Sequence, residues 1–420
     1  MLNELGDNKS SFDGPLQDAL RDRAARDAIR SLHLWRERSL VASILSTLTP
    51  DDEDIRCSSI QSISLRHVDA SRFFARYRFP KLWYLHLSTG VTISSWEDFG
   101  LRTTALTTLS LTLDSVSRIP VTRQLLSILA SNPRLQTLTL SKYMIPRDNG
   151  NGSTVPVPLR HLKELTLTGD FHPIFQLLRR LDHPETMVKM DLTVFRCTVE
   201  DILGTLGPYV QDYIRRNGRF RDGLGIRAIS FSNSVTIDVS TISSVTGPIS
   251  KIAFATFTAI LQDELPPPAE NKLCINFLAH IPREHVVYFG GSMNMDAVRA
   301  TVAAMPKIQE LHLTGALLVG RFLQPDLDGP LANKKLLPSL RRLRLEDITL
   351  GGDNWDPIIP YLTHQTSGGQ RIALTIGGLR QHICKGVLRK IKDLVEEFAL
   401  ELTLHNDCPF YYCSVSEEEE

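Results

Sequence analysis

Cysteine is scarce in this chain and scattered. The six residues, at positions 57, 197, 274, 384, 408 and 413, are too few and too dispersed for the disulfide framework of a small secreted scaffold. Long apolar runs are missing as well: none approaches the ~18 residues that a membrane-spanning helix needs. Charge of either sign is not in excess, since 47 Lys+Arg balance 47 Asp+Glu. No global field therefore draws in nucleic acid or an anionic bilayer, and neither is expected as a partner. The opening residues MLNELGDNKSSFDGP offer neither a basic n-region nor an apolar h-region, so the expected compartment is the cytoplasm or nucleus.

The signatures of nucleotide and acyl-transfer chemistry are also absent. No G-x-x-x-x-G-K-S/T, G-x-G-x-x-G or G-x-S-x-G sequence occurs, and each of these is needed for a specific reason, a backbone cradle for phosphate or a strained nucleophile turn. The glycine pairs 290/291, 351/352, 368/369 and 377/378 read as turns. His280, Glu284 and His285 are separated by Pro282, which keeps two ligands off one helical face. Cys408 and Cys413 lack a partnering pair. The basic cluster Arg215, Arg216, Arg219, Phe220 and Arg221 falls at a helix end, where cations suit the helix dipole. The expectation is no catalytic residue, no cofactor and no metal, hence no enzyme, the alternative being an α/β enzyme with an unrecognised site.

What the chain does have is one phrase written many times. Asn132-Pro133-Arg134-Leu135-Gln136-Thr137-Leu138-Thr139-Leu140 is the cleanest copy of apolar-x-x-apolar-x-apolar. The phrase returns at Leu82/Leu85/Leu87, Leu106/Leu109/Leu111, Leu162/Leu165/Leu167, Ile308/Leu311/Leu313 and Leu340/Leu343/Leu345. Looser copies begin at Ile29, Ile60, Met187 and Ile226. Apolar residues two apart share one face of a strand, so each copy predicts a short strand with a leucine face and a polar face. First positions at 29, 60, 82, 106, 135, 162 and 187 recur at close to the ~20–29 residues of a leucine-rich repeat. The predicted fold is α/β: a curved solenoid of parallel strands on a concave face with helices outside.

Four copies carry a proline two residues before the first apolar position, at Pro80, Pro133, Pro306 and Pro338, which ends the preceding helix and feeds an extended segment. Apolar spacing predicts helices over 122–130, 171–181, 198–217 with a kink at Gly207-Pro208, 295–305 and 355–362. Residues 1–14 are polar and expected to be disordered. Residues 15–405 are expected to form one irregular repeat domain, opened by a cap helix at 15–28. Within it, 232–300 reads as degenerate repeats or an insertion, with β-rich pieces at 235–239, 252–257, 273–277 and 286–289. Residues 406–420 form an acidic tail.

Function is expected on the outward strand positions, which stacked strands gather into one surface. Those positions include Ser31, His33, Trp35; Ser62, Ser64, Arg66; Tyr84, His86, Ser88; Thr137, Thr139, Ser141; Glu310, His312, Thr314; and Arg342, Arg344, Glu346. Aromatic side chains supply most contact energy in interfaces, so Trp35, Tyr84 and His86 are the expected anchors, with His33 and Arg66 beside them to orient a polar partner.

The phrases Phe79-Pro80-Lys81-Leu82, Asn132-Pro133-Arg134-Leu135, Met305-Pro306-Lys307-Ile308 and Leu337-Pro338-Ser339-Leu340 resemble the leucine-rich regions of fungal F-box proteins, a likeness extending over roughly residues 29–405. The resemblance implies substrate-binding repeats of a ubiquitin-ligase receptor, with a protein held on the concave face of a monomer. In that family an F-box docks on the ligase adaptor. No Leu-Pro-x-Glu-Ile/Leu opening precedes Ile29, so the likeness is to the repeats and not to the adaptor-binding module.

Overall fold

The computed structural model describes residues 29–35, 59–76, 78–97, 99, 103–112, 120–141, 156–184, 187–220, 223–231, 234–242, 251–292, 295–314, 337–346, 358–367, 369, 371–377 and 385–401. The expected cap helix at 15–28 and the acidic tail at 406–420 lie outside them. The architecture is mixed α/β, with strands that are mostly parallel. The chain divides into two compact units, 1–285 and 286–420.

In the first unit, strands β1 (Ser31–Leu34), β2 (Ser62–Leu65), β3 (Tyr84–Leu87), β4 (Thr108–Leu111) and β5 (Thr137–Ser141) pair in parallel, each with the next. A short strand, β6 (Val157–Pro158), leaves this sheet to pair with β8 (Leu181–Asp182). The main ladder continues through β7 (Glu164–Asp170) and β9 (Lys189–Cys197). Register is kept from strand to strand: Leu85, Leu109, Leu138, Leu165 and Met190 form one row. Every member of it is at 0 % exposure. A one-residue slip would turn that whole set to the polar face, which is what fixes the pairing.

Helices α1 (Ser71–Arg76), α2 (Thr122–Ala130) and α3 (Phe171–Leu178) occupy intervals between these strands. Those of α2 and α3 begin where the 3.6-residue period places them. Phe73 and Phe74 of α1 meet Phe79 with ring centroids 5.2 and 5.8 Å away, which closes the core beside β3.

The prolines do more than stop helices. Each is the second residue of a β-turn closed by the first apolar residue of the repeat: Leu82 N–H donates to Phe79 O, Leu135 to Asn132 O, Ile308 to Met305 O and Leu340 to Leu337 O, at 3.1–3.3 Å. That is the turn position at which a fixed φ near −65° costs nothing. The next amide then bonds back to the preceding strand, as Gln136 N–H does to Thr107 O at 2.7 Å. Asn132 adds a tie of its own. Its Oδ1 accepts from Leu106 N–H at 3.0 Å and its Nδ2 donates to Ile128 O at 2.8 Å, so this buried side chain joins the end of α2 to the segment entering β4.

Past β9 the pattern changes. Thr198 and Asp201 form a reciprocal cap, and the chain passes through a π-turn (Ile202–Leu206) into α4 (Gly207–Arg216). Gly207 is needed there because a side chain would run into the His280 imidazole. Within 232–300 no parallel copy of the phrase follows at once. Instead β10 (Leu224–Phe231), β11 (Ser234–Ile242) and β12 (Lys251–Leu261) form an antiparallel meander, whose last strand pairs in parallel with β9. Residues 273–277, read as a β-rich piece, lie in helix α5 (Pro267–Leu278). Two prolines in the first turn, where amide donors are unneeded, start that helix, and Leu273, Cys274, Phe277 and Leu278 form its buried face.

The second unit returns to parallel pairing through β13 (Val286–Ser292), β14 (Glu310–Thr314), β15 (Arg342–Glu346), β16 (Ala373–Gly377) and β17 (Glu397–Glu401). Its helices are α6 (Met295–Ala303), α7 (Ile358–Ser367) and α8 (Lys385–Leu394). Leu311, Leu343 and Leu374 are buried to within 1 %, opposite the polar side chains described next.

Candidate functional site

Strand alternation and register build the candidate site without further assumption. With leucines inward, His33, Ser64, His86 and Ser110 occupy one row of the polar face on β1 to β4, and Ser31, Ser62, Tyr84 and Thr108 the row beside it. The structure thus brings His33, Tyr84 and His86 onto one surface. His86 Nδ1 lies 2.8 Å from Ser110 Oγ. Burial lowers the His86 pKa, which favours the neutral ring.

Trp35 lies just past β1 and is 64 % exposed. Its indole Nε1 donates to Ser64 Oγ at 2.8 Å, crossing to the neighbouring strand and covering a serine that is only 1 % exposed. Ser64 is therefore the residue that Trp35, His33 and His86 share, and nothing in its own sequence context marks it out. Arg66 sits differently. Its Nε donates to His67 Nε2 at 3.1 Å and to Thr89 Oγ1 at 3.2 Å, which ties the guanidinium to the segments just past β2 and β3. Trp83 was not singled out by the pattern, yet it is 46 % exposed and its ring meets Tyr84 edge-on at 5.8 Å. An aromatic at a position that reads as part of the turn gave the only signal.

Farther along the same unit, hydroxyls dominate until β9. There Lys189 Nζ pairs with Asp191 Oδ2 at 3.1 Å. Across β12, Thr256 Oγ1 donates to Asp238 at 2.9 Å. Thr256 stands in register between the two aspartates, and its one proton serves only one of them.

The second unit carries a denser network. Tyr288 lies over Gly290, where a Cβ would come within 2.7 Å of the phenolic oxygen, and its OH reaches His312 Nδ1 on the next strand at 3.3 Å. On its other side His312 Nε2 is 2.9 Å from Glu346 Oε2. Arg344 donates to Glu346 through Nε at 2.7 Å and sets Nη2 2.6 Å from the same oxygen. Burial acts to raise the Glu346 pKa, but the contacts with Arg344 and His312 outweigh it and the net shift is downward. Glu310 shifts the other way: burial raises it more than Arg342, His312 and Arg344 lower it. Glu310, His312, Arg342, Arg344 and Glu346 were all read as outward positions, but nothing in one-dimensional spacing joined them into a network.

In chemical terms both groups offer hydrogen bonding, charge and aromatic area on a sheet face. Among the described residues no group of three or more His, Cys, Asp or Glu side chains is placed to hold a metal ion, and no helix is long and apolar enough to cross a membrane. No protein-family model matches this chain, and no curated protein matches it.

Proposed function

We propose that the chain is a non-catalytic protein-interaction module, a leucine-rich-repeat solenoid that presents its polar strand face, the concave one in such a fold, to a protein partner in the cytoplasm or nucleus. It resembles the substrate-binding repeats of F-box ubiquitin-ligase receptors. The observation that carries this reading is the unbroken register from β1 to β9, which buries one apolar row and gathers the alternate polar and aromatic side chains on a single surface. Exposed aromatic side chains with polar tips are the residues that anchor interfaces. Trp35, Tyr84 and His86 are the anchors in this reading, and His33 and Arg66 orient a polar partner.

The test is affinity capture of the full chain from its own cell extract with quantitative mass spectrometry, comparing the native sequence with Trp35→Ala and Tyr84→Ala. A partner lost from both variants, while circular dichroism stays unchanged, supports the reading. Co-purifying cullin-ligase subunits support the receptor version, and a single unrelated partner a free-standing scaffold. Partners retained in full by both variants would move the binding surface off this end of the sheet.

A further inference from the structure

Arg342 and Arg344 stand two residues apart on β15, so both project from the polar face with about 7 Å between them. Their side chains are 50 % and 39 % exposed. The two are held unequally. Arg344 is fixed on Glu346 by contacts of 2.7 and 2.6 Å, and Glu346 is in turn held by His312. Arg342 only faces Glu310, at 3.7 Å, which is beyond hydrogen-bond reach. Glu310 is half-buried, and burial disfavours its charged form. Of the two carboxylates, Glu310 is therefore the weaker counter-ion. On the far side of β15, β16 sets Ala373, Thr375 and Gly377 in register with Arg342, Arg344 and Glu346. None of these short side chains carries a charge that competes for the two guanidinium groups.

We propose that this part of the face receives an extended acidic peptide of a partner protein, whose carboxylates at alternate positions pair with Arg342 and Arg344, the peptide displacing Glu310 from Arg342 and sharing Arg344 with Glu346. An extended chain repeats its same-face side chains every ~7 Å, the interval at which β15 presents its two guanidinium groups, so an acid-x-acid sequence matches them in register. Guanidinium binds carboxylate through paired N–H donors, and Glu346 already shows that chemistry on Arg344. The inference rests on the partner-binding reading of the polar face, and it names the partner's chemistry at the end of the chain away from Trp35 and Tyr84.

The experiment is fluorescence anisotropy of a labelled Gly-Ser-Glu-Ala-Glu-Ser-Gly peptide titrated with the full chain at low ionic strength. The glutamate peptide is expected to bind at least about tenfold more tightly than its Gln-Ala-Gln counterpart, and Arg342→Ala to weaken it by about tenfold, as for loss of one charge-assisted pair. Glu310→Gln is expected to tighten binding about threefold or more, since it removes the internal competitor. That gain cannot come from a variant that fails to fold. Equal binding of the two peptides, indifference to Arg342→Ala, or weaker binding by Glu310→Gln would each overturn the proposal. So would a peptide with Glu-Ala-Ala-Glu spacing that binds as well as Glu-Ala-Glu, or a doubly phosphorylated Ser-Ala-Ser peptide that binds more tightly. If the peptide fails while partner capture still depends on Trp35 and Tyr84, this inference falls and the wider reading stands. The reverse pattern separates them the other way.

Discussion

Leu138→Ala is the substitution through which the repeat architecture is most directly measured. Leu138 is at 0 % exposure and stands in register between Leu109 on β4 and Leu165 on β7. Truncation removes three carbons, about 2.4 kcal/mol at ~0.8 kcal/mol per buried methylene. Both neighbouring leucines are pinned by parallel backbone pairing, so the site collapses only in part. A residual void of roughly 50 Å³ adds about 1.2 kcal/mol at ~24 cal/mol per Å³. The expected loss is about 3.6 kcal/mol, inside the ~2–5 kcal/mol range for emptying a packed leucine site. Thr139, the next residue, points to the other face and is half-exposed, so Thr139→Ala is expected to cost about 0.5 kcal/mol or less. Urea unfolding followed by near-ultraviolet circular dichroism provides the comparison, with Trp96, at 4 % exposure, as a buried reporter in the same unit. The contrast between the two variants is the decisive quantity. A loss for Leu138→Ala below about 0.5 kcal/mol, or equal losses for both, would refute the assignment of the leucine row to the core.

Three further outcomes follow from buried polar groups. Asn132→Ala strips a partner from the buried Leu106 amide and the Ile128 carbonyl. It should cost about 2 kcal/mol and speed hydrogen exchange at Leu106, and an unchanged exchange rate would count against the tie. The His86, His183 and His280 pKa values are each lowered from 6.5, by burial first. Below about pH 6.5 the unfolded chain then binds more protons than the folded one, so the stability these rings confer is complete above that pH and is lost as pH falls through it toward their folded values. Tm should drop between about pH 7.5 and 5.5, less steeply in His183→Gln, whereas a Tm that rises on acidification contradicts the burial of these rings. Burial, with Asp201 adding to it, pushes the Cys197 thiol up to about 12. Iodoacetamide at about pH 8 should leave Cys197 unmodified in the native chain and label it after unfolding, and comparable labelling in both states would contradict its placement.

The amino-acid sequence by itself determined where the strands of the repeated phrase lie and which face of each is apolar, because a two-residue alternation needs no partner to be legible. Strands 84–87, 108–111, 137–141 and 164–170 fall on the predicted phrases and pair in parallel in the predicted order. The sequence also placed Trp35, Tyr84, His86, Glu310, His312, Arg342 and Arg344 at outward positions. Periodicity says nothing about direction of return, however, so the antiparallel meander of β10 to β12 did not show in the apolar pattern. For the same reason the helix at 267–278 was hidden in an apolar run short enough to suit either state.

Tertiary structure alone decided which polar residues meet. Ser64 gained its place by lying under Trp35, Arg66 was drawn off toward Thr89, and Tyr288 reached His312 because Gly290 left the space to lie flat. These contacts join residues 23 to 34 positions apart, as with His312 and Glu346 or Arg66 and Thr89. Local composition sets which side of a strand a residue faces, but only the pairing of neighbouring strands sets what stands across from it.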